Sequence, residues 1–190
     1  MESVEITTDS INCFRYEKGF LLCENVKVAD ISKLVRENGE QSASPVFVFS
    51  KNQIIRNIKS YTVPMKSSTL QYRLNYAMKA NMNPSIMRIM KDHHCDVTTV
   101  SGLELQLALM LGFEPEHIVL NGNGKQRWEI ELAVQHGCLV NIDSMFNLEQ
   151  TIAVCRQMEK MARVLLRVNP DIDPVNIYRF LFLRLVFIHM

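Results

Sequence analysis

The stretch "CDVTTVSGLELQLALMLG" (95–112), answered by "HIVLNGNGKQRWEIELAVQHG" (117–137), decides the fold. Each half reads in the same order: a short run suited to a strand, a polar end, then a run of helical character closed by glycine, Gly112 in one and Gly137 in the other. The rhythm continues outward in both directions. Towards the amino terminus, "PSIMRIMKDHH" begins with proline at a helix start and has apolar residues at 86, 87, 89 and 90. Before it, "LQYRLNYAMKAN" contains a strand, "KNQIIRNIKSY" has helical spacing, and "PVFVFS" (45–50) reads as the first strand. Towards the carboxyl terminus come the strand "LVNIDS", the helix "MFNLEQTIAVCRQM" and the strand "ARVLLRVN". Six strands alternating with five helices predict a parallel sheet of βα units, in an α/β fold. Near-continuous apolar strands fit burial on both faces. A doubly wound open sheet and a (β/α)8 barrel both satisfy this pattern, although no GxGxxG loop follows the first strand.

The flanks differ from this repeat. Residues 1–44 read as a leading segment: a hairpin with Gly19 near its turn, a short helix stopped by Gly39, and the polar linker "EQSAS". The last stretch, "IYRFLFLRLVFIHM" (177–190), is apolar, yet its 14 residues carry Arg179, Arg184 and His189, too short and too charged to span a bilayer. A net charge of +1 and the lack of basic runs point away from nucleic acid. Five scattered cysteines without a CxxC pair, behind an amino terminus with no apolar leader, predict reduced thiols in the cytoplasm. "HHC" (93–95) is the nearest approach to a metal site, and three adjacent residues do not converge on one ion, so no metal is expected.

Polar residues gather where strands end: Lys79 and Asn81, Ser101, Asn121 and Asn123, Asp143 and Ser144, Asn169. In a barrel these ends share the face that holds the active site. Lys79, within "YAMKAN" (76–81), has two readings. One is an edge residue whose ammonium reaches water. The other is a lysine at a barrel mouth, buried among apolar neighbours and made nucleophilic by desolvation.

Taken in order, "YAMKAN", "VSGLEL", "NGNGK", "NIDS" and "RVNPDIDP" resemble the pyridoxal-phosphate decarboxylases of the ornithine/diaminopimelate/arginine group, most closely diaminopimelate decarboxylase. The resemblance runs over roughly residues 13–174. It implies an alanine-racemase-like (β/α)8 barrel, with pyridoxal 5'-phosphate as cofactor. It also implies decarboxylation of meso-2,6-diaminopimelate to L-lysine and CO2. Lys79 matches the lysine that holds the cofactor. Ser101, Gly102 and Glu104 match a motif beside the cofactor ring. Many relatives carry an aspartate where this chain has Thr98, and Lys125 is either a cofactor contact or part of a plain turn.

After Pro174 the resemblance stops. The family histidine that stacks on the ring falls at Ile177, and the glycine-rich phosphate loop, the EPGR-like segment, the CxxxD motif and the carboxyl-terminal β-domain have no counterpart. The expected organisation is therefore a leading segment (1–44), a partial pyridoxal-binding barrel of about six strands (45–174) and an apolar tail foreign to the family (175–190). The tail is expected to arise from reading past an exon boundary or a frame change; the competing reading is an amphipathic helix over the open sheet edge. A chain of this kind is expected to be inactive by itself. Alternatives are a non-catalytic fragment or regulator pairing with a full-length relative, and a small pyridoxal-phosphate carrier. The family implies a homodimer, with an amino acid as substrate.

Overall fold

The computed structural model describes residues 13–37, 45–66, 68–69 and 71–168. The chain divides into two compact units, residues 1–72 and 73–190. The leading unit holds an antiparallel sheet of β1 (Phe14–Glu17), β2 (Phe20–Cys23) and β3 (Val26–Lys27), followed by α1 (Val28–Glu37) and α2 (Lys51–Lys66). The β1–β2 turn places Lys18 and Gly19 at positive φ, which explains the glycine. Glu24, just after β2, braces the start of α2: its carboxylate accepts from the Ser50 hydroxyl, from the Asn52 amide N–H at 3.2 Å and from the Asn52 side chain at 2.6 Å.

Residues 46–50 form no strand, contrary to the sequence expectation. Their apolar composition suits a pleated surface, but a strand exists only through a ladder partner, and none engages this segment among the described residues. Phe47 and Phe49 instead stack on each other at 6.5 Å between ring centroids and stay exposed. The expected stop at Gly39, the linker "EQSAS", Asn169 and the tail lie outside the described residues.

The second unit carries the βα repeat. Among the described residues its sheet has five parallel strands rather than six: β4 (Asn75–Ala77), β5 (Asp96–Thr99), β6 (Ile118–Leu120), β7 (Leu139–Ile142) and β8 (Arg163–Leu166). Between them lie α3 (Pro84–Asp92), α4 (Gly102–Met110), α5 (Arg127–His136) and α6 (Met145–Met158). The strands are paired strictly in chain order. That order separates the two architectures left open by periodicity. A doubly wound sheet reverses its order at a switch point. Here there is no reversal, and right-handed crossovers repeated in one direction put every helix on one face, as in a barrel wall.

The register fixes which residues share a face. Ala77, Thr98, Val119, Leu139 and Arg163 lie abreast in one row. The adjacent row, Thr99, Leu120, Val140 and Val164, belongs to the opposite face, under the helices. Val97, Thr99, Ile118, Leu120 and Val140 on that face are wholly buried. The other face is only half covered. At its amino end a cavity of about 260 Å³ is lined by Arg73, Asp96, His117, Val119, Leu139 and Leu165.

Candidate functional site

Helix starts bring the candidate residues to the carboxyl end of the sheet. Lys79 follows β4 directly, in a single 3₁₀ turn, Met78–Ala80. The Tyr76 hydroxyl donates to the Asn81 carbonyl at 2.9 Å and closes the turn. Burial pushes the Tyr76 phenol up from its usual value, and this hydrogen bond pulls the other way. Asn81 Oδ1 accepts from the Asn83 amide at 2.9 Å, so this strand-end asparagine shapes the chain that leads into α3.

The burial expected around Lys79 is not found. Met78 takes the inward position and is wholly buried, while Lys79 and Ala80 are exposed. A tight turn presents neighbouring residues to different surroundings, and here the apolar side chain won the core. Among the described residues the Lys79 ammonium has neither a hydrogen bond nor an ion pair.

The enclosed lysine is Lys125. Its side chain is 2% exposed, and its ammonium donates to the Gly122 carbonyl at 2.5 Å, to Asn147 Oδ1 at 3.1 Å and to Asp143 Oδ2 at 3.3 Å. Burial pulls it below the usual lysine range, and Asp143 opposes that shift. All three of its protons are directed to acceptors, so it clamps the loop after β6 to the loop after β7. Beside it, Asn141 Nδ2 donates to Asn121 Oδ1 at 2.8 Å. Asn141 Oδ1 and Asn147 Nδ2 are buried without a partner among the described residues.

Ser101 and Glu104 are both occupied locally. Ser101 Oγ accepts from the Glu104 amide at 3.3 Å, and Glu104 Oε2 accepts from the Val100 amide at 2.8 Å, a reciprocal cap on α4. Sequence reasoning missed Glu129. Its carboxylate is buried and accepts from Gly102 N–H at 2.5 Å through one oxygen and from Gln126 N–H at 2.8 Å through the other. Its position three residues after the cap of α5 was the available signal; its reach to Gly102 was not. Asn141 and Asn147 were also missed. Asn147 follows Ser144 at cap spacing, and its amide donates to Ser144 Oγ at 3.2 Å.

These residues fit one end of pyridoxal phosphate. Lys79 leaves an amine at a strand end that an aldehyde can reach. The starts of α4 and α5 do not provide for the phosphate end. A helix N-terminus binds anions through free N–H groups, but α4 and α5 here are closed by the Glu104 and Glu129 carboxylates, and α6 follows Asp143. A phosphate at the start of α4 or α5 meets like charge; at α6 the Asp143 carboxylate is already paired with Lys125. No group of three His, Cys, Asp or Glu that could hold a metal occurs among the described residues.

A rice protein (Oryza sativa subsp. japonica) named as a chloroplastic diaminopimelate decarboxylase is 39% identical over 163 residues, covering 85% of this chain and 32% of the relative. The diaminopimelate decarboxylase of Archaeoglobus fulgidus is 37% identical over 161 residues, covering 85% and 36%. The crystal structure of diaminopimelate decarboxylase from M. jannaschii in complex with L-lysine superposes with a TM-score of 0.72 at 26% identity, covering 85% of this chain and 37% of that one. The chain thus spans about a third of the length of the relatives it matches. Residues 51–177 match the pyridoxal binding domain of the pyridoxal-dependent decarboxylases, and the chain belongs to that family.

Proposed function

We propose that this chain supplies the lysine-bearing part of a pyridoxal-phosphate-dependent decarboxylase acting on meso-2,6-diaminopimelate, with Lys79 as the residue that carries the cofactor. The observation that supports it is the contrast between two lysines at the carboxyl ends of the strands. Lys125 is enclosed and fully hydrogen-bonded; Lys79 is exposed and unpartnered. Only an amine free of other partners is available to a carbonyl. When bound, the cofactor supplies an electron sink for the bond that loses CO2. The chain's own contribution is to present the Lys79 amine on a rigid strand end and to wall it with the turn after β5. Ser101 and Glu104 shape that wall, and their part in cofactor binding is indirect in this reading. The diaminopimelate relatives support the substrate assignment.

The domain assignment in this reading keeps 45–174 as the pyridoxal-binding part. A homodimer in the cytoplasm is the setting it implies; all five cysteines are free, as a reducing compartment favours. Light scattering on the purified chain tests the assembly.

The decisive experiment is incubation with pyridoxal phosphate, borohydride reduction and peptide mass mapping. Label concentrated on Lys79, and lost in Lys79→Arg, is the expected result. Label spread over surface lysines overturns the assignment. The 190-residue polypeptide tested alone is expected to release no measurable CO2 from meso-diaminopimelate. The five strands among the described residues do not close an eight-stranded barrel, and the starts of α4 and α5 carry carboxylates rather than a phosphate holder. Turnover within about a hundredfold of an ordinary enzyme rate overturns that expectation.

A further inference from the structure

We propose that Glu129 is a positioning residue for the lysine site: its buried carboxylate fixes the turn Val100–Gly102 that flanks Lys79. This rests on the assignment of Lys79 given above. Parallel pairing sets Ala77 abreast of Thr98. The turns that follow, Met78–Ala80 and Val100–Gly102, therefore leave neighbouring strands side by side. The second turn is held from outside its own βα unit. Gly102 N–H donates to Glu129 Oε1 across 27 residues of chain, and Gln126 N–H donates to Glu129 Oε2. One carboxylate thus ties the start of α4 to the start of α5, one oxygen to each.

The packing agrees with the hydrogen bonds. A Cβ on Gly102 would lie 2.1 Å from Trp128 Cη2 and 2.8 Å from Glu129 Cγ. The glycine is required because the indole ring and the glutamate stem occupy the space of a side chain. The turn is thereby pinned by a charged acceptor on one atom and by ring contact on the next. Elsewhere α5 is anchored by Ile130 and Val134, which pack with Val154 of α6. Those contacts hold α5 against α6. Glutamine in place of Glu129 keeps the volume and offers only one acceptor, so one of the two N–H groups loses its partner. Aspartate keeps the charge and shortens the reach by one methylene.

The test compares Glu129→Gln with Val134→Ala in the 190-residue chain, the second being a core variant that lowers stability without touching the turn. Two quantities are read: hydrogen exchange of the Val100–Gly102 amides, and the pyridoxal phosphate concentration giving half-maximal borohydride trapping on Lys79. In Glu129→Gln, exchange at those amides is expected to rise about tenfold, the loss of one charge-assisted hydrogen bond, and half-trapping to move to several-fold higher concentration. Val134→Ala is expected to change neither beyond its effect on global unfolding. Glu129→Asp replaces the glutamine variant if that chain does not fold, with the same expectation. Unchanged exchange and trapping in Glu129→Gln, or equal changes in both variants, overturn the positioning role alone. Absence of selective trapping at Lys79 in the unsubstituted chain overturns the cofactor assignment and the positioning role with it.

Discussion

Replacing Lys125 with methionine is the sharpest test of the polar clamp at the strand ends. The ammonium leaves, and three acceptors lose a donor: the Gly122 carbonyl, Asn147 Oδ1 and Asp143 Oδ2. Asp143, whose side chain is 8% exposed, then stands as a buried charge without its counterion. Breaking a buried ion pair from one side costs about 3–5 kcal/mol. At about 2–4 °C per kcal/mol for a chain of this size, the melting temperature should fall by about 6–20 °C. Thermal and urea unfolding followed by circular dichroism measure it. The double variant Lys125→Met/Asp143→Leu removes the orphaned charge and should recover most of the loss, because a matched apolar pair often does as well as a buried ion pair. A loss below about 1 kcal/mol in the single variant, or strict additivity in the cycle, would refute the view that this pair is buried and coupled.

Glu104→Ala removes one half of the cap on α4 and should cost about 1 kcal/mol, visible as a shift in urea midpoint at unchanged slope. Cys138 supplies a pH test: burial pushes its thiol from 9.0 up to about 11, against a smaller opposing pull from Arg163. The folded chain keeps a proton that the unfolded chain gives up, so the stabilisation is complete below 9.0 and is lost as pH rises through about 11. Melting temperatures across that window should fall more steeply in the unsubstituted chain than in Cys138→Ala. Maleimide labelling of the native chain should reach Cys155 before Cys13, Cys23, Cys95 or Cys138, since only Cys155 is partly exposed; peptide mapping after brief exposure checks the order.

The repeat was legible because each βα unit carries its own punctuation. Asn83 and Pro84 open α3, Ser101 opens α4, Ser144 opens α6, and Gly137 closes α5 in the left-handed conformation. These are contacts between near neighbours, which sequence spacing records. The misreadings concern partners far apart in the chain. Residues 46–50 have the composition of a strand, but pairing is decided by what lies alongside. Lys79 sits among apolar residues in sequence, yet Met78 takes the interior and leaves the lysine outside. The burial assigned to Lys79 belongs to Lys125, through an aspartate 18 residues away. Glu129 looks like an ordinary first-turn glutamate until its second oxygen is found on Gly102.

The contact between Trp128 and Gly102 gives the molecule an optical property. Trp128 is the only tryptophan in the chain. Its indole N–H donates to Gln126 Oε1 at 2.8 Å, and its ring edge lies over Gly102. Intrinsic emission excited at the indole band therefore originates at a single turn beside the strand ends, half in water, and not in the apolar interior. The colour of that emission follows the local state of one loop, so a red shift at mild denaturant, ahead of the loss of helix ellipticity, would report that this corner opens before the sheet does.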